Sequence, residues 1–230
     1  IFDRDKVVAP EDRLRMPNFN FSEEEIEAIV TAILSFNDDK VTDKVIAHQD
    51  LSNLALEGHK IIKDLNCQGC HLIENFGGNI SKFIGSQDFS PPNLNTQGKK
   101  VHPEWMFEFL KNPTIIRPPL EVRMPSFNLS DEDWNAVIAA FQSLDGNSLS
   151  FESAHGIDRK STNYKAGEKL AELGACNNCH FYGNKFPTQG AQTWAPNLAM
   201  SEERLREEWL IDWLKDPQKI MPGTKMPAPF

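Results

Sequence analysis

Two stretches, CQGCH (Cys67–His71) and CNNCH (Cys176–His180), share one frame and hold all four cysteines of the 230-residue chain. Three chemistries use a Cys-x-x-Cys pair. A thioredoxin-like redox pair needs no histidine directly after it and belongs in a βαβ context. A zinc site of this spacing needs further ligands, and two such knuckles could pool theirs around one metal. In covalent haem attachment the two thiols add to the porphyrin vinyl groups, and the adjacent histidine becomes the proximal iron ligand. A single motif arises readily by chance. Two, with no cysteine left over, favour haem, with zinc as the alternative.

Composition narrows the setting. The excess of 33 acidic over 24 basic residues, a formal charge of −9, argues against a nucleic-acid partner, which calls for clustered Lys and Arg. It suits a basic protein partner, although acidity also serves solubility alone. Hydrophobic residues at 40% are enough for globular cores. No run of about 18 apolar residues exists, so no transmembrane helix is expected in the chain as given. The length fits two ordinary domains or three small ones. The absence of a signal peptide and a start at Ile1 suggest a mature or trimmed product.

The surroundings of the two motifs repeat. Gly58 and Gly167 each stand nine residues before the first cysteine, in LALEGHKIIKDLNC and NYKAGEKLAELGAC. Both stretches read as helices, and a glycine there suits close approach by another helix. PPNL (91–94) and APNL (195–198) follow the motifs. Next come VHPEWMFEFLKNP (101–113) and RLREEWLIDWLKDP (204–217), helical stretches with Trp105 and Trp209 in matching places and Pro113 and Pro217 as stops. VRMPSF and TKMPAP then place Met124 and Met226 between a basic residue and a proline. The proline holds the chain extended and helps aim the thioether, so both methionines are candidate iron ligands. Met106 and Met200 read as core filler or surface.

One segment occurs without a motif ahead of it. RMPNFNFSEEEIEAIV (15–30) nearly copies RMPSFNLSDEDWNAVI (123–138). Ser22 with Glu25 and Ser130 with Asp133 have capping-box spacing, and Phe21 with Ile26 and Leu129 with Trp134 match hydrophobic staples. Ile26, Ile29, Val30, Ile33 and Leu34 form one apolar stripe, as do Trp134, Val137, Ile138 and Phe141. Each stripe should pack on the helix that precedes a Cys-x-x-Cys-His motif. No strand-like alternation of any length competes, so an all-α fold is expected.

The order of helix, Cys-x-x-Cys-His, Pro-Asn-Leu loop, Trp-bearing helix, Met-Pro turn and capped terminal helix resembles class I c-type cytochrome modules. In particular it resembles the small bacterial modules found in tandem in multihaem proteins and respiratory complexes, over residues 52–144 and 163–227. The resemblance implies an all-α chain of tandem small cytochrome c domains with two covalently bound haem c groups. It assigns Cys67, Cys70, His71 and Met124 to one haem and Cys176, Cys179, His180 and Met226 to the other. Pro92 and Pro196 match the position whose carbonyl accepts the proximal histidine N–H. His–Met iron is saturated, so electron transfer is the implied function. The partners would be redox proteins or a membrane-bound respiratory complex, and the location periplasmic or otherwise extracytoplasmic. A dihaem enzyme such as a peroxidase is the alternative, and it needs an open face at one iron.

Residues 47–149 form one expected haem domain and 150–230 a second that lacks its terminal helix. Residues 1–46 read as the Met turn and terminal helix of a further module plus a linker. Met16 would then ligate a third haem belonging to that module. The rival reading is that this tail docks on the last module, in the same chain or a neighbour. His48, His59, His102 and His155 are read as surface or capping residues rather than ligands.

Overall fold

The computed structural model describes residues 21–35, 52–85, 89–118, 120–146, 158–187, 190, 193–222 and 224–226. Arg15, Met16, His48 and His155 therefore lie outside the described residues. Eleven α-helical segments in that span carry the fold, with 3₁₀ turns at Cys176–Asn178 and Leu198–Met200. The long ones are α1 (Glu23–Leu34), α2 (Ser52–Asp64), α6 (Pro103–Lys111), α7 (Asp131–Leu144), α8 (Thr162–Leu173) and α10 (Glu207–Lys215). Single turns fill the loops: α3 (Cys67–Cys70), α4 (Ser81–Ile84), α5 (Gln97–Lys100), α9 (Ser201–Arg204) and α11 (Pro217–Ile220). The expectation of no strand holds except for one hairpin, β1 (Leu72–Ile73) with β2 (Phe76–Gly77). Two residues a strand is too short for a period-2 pattern to register.

Both expected caps form. Ser22 accepts from the Glu25 N–H and Glu25 returns a bond to the Ser22 N–H; Ser130 and Asp133 do the same. Asp closes its box as well as Glu does. Each cap ties down orphan amides at a helix start that also carries three acidic residues, a charge suited to that end of the dipole.

Two helix crossings repeat. At Gly58 of α2, a Cβ would stand 1.9 Å from the Ala136 carbonyl oxygen and 2.9 Å from the Ala140 Cβ. At Gly167 of α8, it would stand 1.8 Å from the Ala28 carbonyl oxygen and 2.8 Å from the Ala32 Cβ. Each crossing sets a helix that precedes a motif against a capped helix, α2 on α7 and α8 on α1, with glycine and alanines letting the backbones meet. Of the two covers expected for the stripe of α1, the described residues show α8 of the same chain, with α9 and α10 beside it. Among the described residues, the stretch 158–226 carries α1 on its flank. Ile26, Ile29, Val30 and Ile33 are buried there.

The two halves meet through a contact that no sequence pattern announced. Val101 and Leu205 form an antiparallel bridge. The His102 amide donates to the Arg204 carbonyl and the Arg206 amide to the Lys100 carbonyl, both at 3.0 Å. His102 Nε2 donates to the Leu205 carbonyl (3.1 Å) and Arg206 Nε to the Val101 carbonyl (3.2 Å). Arg204 lies over Trp105 at 5.0 Å, and Lys100 over Trp209 at 4.9 Å. Each of these contacts has a mate with the halves exchanged, the signature of a self-complementary, pseudo-twofold interface.

Burial, with the Arg206 charge adding to it, pushes the His102 imidazole down to about 4 from 6.5. Between those values the unfolded chain takes up a proton that the folded chain refuses, so stability should fall as pH falls from 6.5 toward 4. His102→Gln keeps a donor without titrating and should flatten that part of the profile, read from urea midpoints between pH 7 and 4. An equally steep loss in the variant would place the titration elsewhere.

Candidate functional site

The first motif sits at a sharp corner. Asn66 adopts a left-handed conformation (φ 53°) and breaks α2 just before Cys67, and α3 then spaces Cys67 and Cys70 across one turn. Ala175 takes the same conformation (φ 51°) ahead of Cys176. Alanine gains no local side-chain bond there, so the surrounding fold bears the cost of that geometry. None of the four cysteines is in a disulfide, and all are half-buried. Burial raises the thiols of Cys67, Cys176 and Cys179, the opposite of the depressed thiol that a redox pair uses as nucleophile. Among the described residues no group of three or more His, Cys, Asp or Glu side chains could hold a metal ion.

Each histidine is oriented by the same device. His71 Nδ1 donates to the Pro92 carbonyl at 2.8 Å, and His180 Nδ1 to the Pro196 carbonyl at 2.9 Å. A carbonyl only accepts, so the proton is on Nδ1 and Nε2 keeps its lone pair. Burial lowers both imidazoles despite the opposing backbone bond, which holds them neutral and ready to ligate. The carbonyls are themselves fixed. The Leu94 amide donates to the Leu72 carbonyl and the Leu198 amide to the Phe181 carbonyl, each at 2.9 Å. Asn93 Oδ1 accepts from the Asn95 amide, and Asn197 Oδ1 from the Ala199 amide. The asparagine of each Pro-Asn-Leu triplet is thus a turn-former, a role that its repetition in the sequence could have suggested.

Met124 and Met226 are half-buried against the core cluster. The Met226 sulfur receives the Trp213 indole N–H at 2.8 Å. Met106 is buried at 2% exposure, as core filler should be. His59 Nδ1 lies 3.9 Å from the Glu74 carboxylate, both partly exposed, and His102 serves the interface between halves.

A haem carries two carboxylates as well as iron, and this chain offers them partners. Arg204 Nε and Trp209 Nε1 are buried without a hydrogen-bond partner. Lys100 is depressed to about 7 by burial and by the charges of Arg204 and Arg117. The buried Glu203 carboxylate offsets part of this charge at Arg204, and three converging cations against one carboxylate leave room for a further anion. Thiols, histidines, thioethers and this cationic patch together fit the group.

Residues 53–139 match the family model described as Cytochrome C oxidase, cbb3-type, subunit III. That stretch is under half of the chain; it supports a c-type cytochrome with covalently bound haem c, acting in electron transfer. The helix-rich fold agrees with an all-α cytochrome domain. No curated protein and no solved structure gives a significant match. None of the described helices is long and apolar enough to cross a membrane.

Proposed function

We propose that the chain is a two-haem c-type cytochrome that passes electrons between redox proteins, as an extracytoplasmic carrier or as a subunit of a respiratory complex. The observation that carries this is the duplicated histidine geometry, two Nδ1–H bonds to the Pro92 and Pro196 carbonyls directly after two Cys-x-x-Cys turns. In one unit, residues 52–146, Cys67 and Cys70 would hold the haem covalently, and His71 and Met124 would ligate its iron. In the other, α1 joins residues 158–226, where Cys176 and Cys179 would hold the haem covalently and His180 and Met226 would ligate its iron. Haem supplies the one-electron Fe(III)/Fe(II) couple when bound. A histidine and a methionine available to each iron would leave little to rearrange between the two states, which suits outer-sphere transfer. A thioether available to each iron favours a carrier over an enzyme, which needs one face open.

Met16 remains a candidate ligand for a haem of a further module, which would bring the total to three. The packing of α1 on α8 supports assigning the segment to the second unit instead.

The test is the denaturing intact mass of the native protein together with a haem-stained denaturing gel. Two haem increments on the polypeptide mass are expected. A gel without signal would refute the reading, and a single increment would refute it for one motif.

A further inference from the structure

The two proposed centres differ at the methionine. Phe109 of α6 and Trp213 of α10 occupy matching places in EWMFEFLKNP and EWLIDWLKDP. Each ring stacks on the tryptophan one turn earlier, Phe109 on Trp105 (4.7 Å, 15°) and Trp213 on Trp209 (5.0 Å, 16°). The scaffolds are alike, but only Trp213 carries an N–H, and it lies 2.8 Å from the Met226 sulfur. The Met226 backbone is tied down as well. Gln218 Nε2 donates to the Thr224 and Met226 carbonyls, and the Met226 amide donates to Thr224 Oγ1 at 3.3 Å. Trp213 is also one ring away from Trp209, which Lys100 of the other half covers.

We propose that Trp213 is a positioning and tuning residue for the second iron centre, with no counterpart in the first, so that near-duplicate units hold unequal reduction potentials. The proposal rests on Met226 being the ligand. A thioether sulfur has two lone pairs. With one given to iron, the other accepts the indole N–H, which draws electron density from the sulfur and weakens its donation. Ferric iron needs that donation more than ferrous iron does, so the bond raises the potential, as hydrogen bonds around a ligand generally tune a metal. Trp209 keeps the Trp213 ring in place by stacking, which makes the donor fixed rather than adventitious. Electrons would then settle preferentially on the second unit, giving the pair a direction.

The experiment is a spectroelectrochemical titration of the haem-loaded protein and of Trp213→Phe. The variant should fold, because the twin unit already stacks a phenylalanine there. One midpoint should fall, by about three- to tenfold in the Fe(III)/Fe(II) ratio at fixed ambient potential, tenfold being about 59 mV for one electron. The other midpoint should stay, and the far-red charge-transfer band of His–Met iron should persist. Unmoved midpoints would overturn the tuning role. So would an equal shift when Trp213→Phe is made in a Met226→His background, because the effect could not then run through the sulfur. Failure of the underlying ligation would look different: Met226→His alone would leave both band and midpoints as they were.

Discussion

Replacing Gly167 with valine is expected to unseat α1 from α8 and to unfold the second unit while leaving the first intact. The new Cβ would fall 1.8 Å from the Ala28 carbonyl oxygen and 2.5 Å from its carbon. These are helix backbone atoms and cannot swing aside as a flexible side chain does, so the helices must separate. Separation returns Ile26, Ile29, Val30 and Ile33 to water. At about 1.5–3 kcal/mol for each large apolar side chain, the loss is on the order of a whole domain's stability, about 5–15 kcal/mol. Hydrogen exchange would show the α1 amides losing protection while those of α2 and α7 keep theirs. Gly58→Val should produce the converse pattern, since its Cβ meets Ala136 in the same way. Protected α1 amides in the Gly167 variant would mean that something other than α8 holds the helix.

Exchanging the proposed axial methionines should move the redox chemistry furthest. Thioether ligation stabilises ferrous iron, whereas a second imidazole favours ferric iron, and axial ligands together set haem potentials over about 0.8 V. Met124→His and Met226→His should each lower one midpoint by roughly a tenth of a volt or more. Each should also remove about half of the far-red band, by its share of two similar irons. The double variant should lose the band entirely. A Met226→His protein with an unchanged band would point to Met16, in the segment ahead of α1, as the ligand of that iron.

Much of this was legible in the chain because the signals are local. A cap, a staple or a Cys-x-x-Cys-His turn is closed by residues three or four apart, so its geometry follows from spacing. The Ser22 and Ser130 boxes and the helices carrying Gly58 and Gly167 all appear where their residues place them. The Nδ1 bonds of His71 and His180 reach further, to Pro92 and Pro196. They were anticipated only because the surrounding motif resembles a known family. Trp213 and Met226 are near in sequence, yet no pattern marks an indole that meets a sulfur. The Asn93 and Asn197 turns went unread for a different reason, since a single asparagine in a loop has many uses.

The sequence alone determined the repeat, the helices, the candidate ligands and an apolar stripe on residues 26–34 that had to be covered. It did not determine the cover. Burial of apolar surface has no direction, and a domain upstream, a neighbouring molecule or the last unit would all satisfy Ile26 through Leu34 equally well. Only the tertiary structure decided, because the choice depends on shape: the notch at Gly167 admits Ala28 and Ala32 at backbone distance. The pairing of Val101 with Leu205 was likewise beyond the sequence. Its bonds run from His102 and Arg206 side chains to carbonyls more than 100 residues away, and a carbonyl leaves no trace in the identity of the residue that bears it.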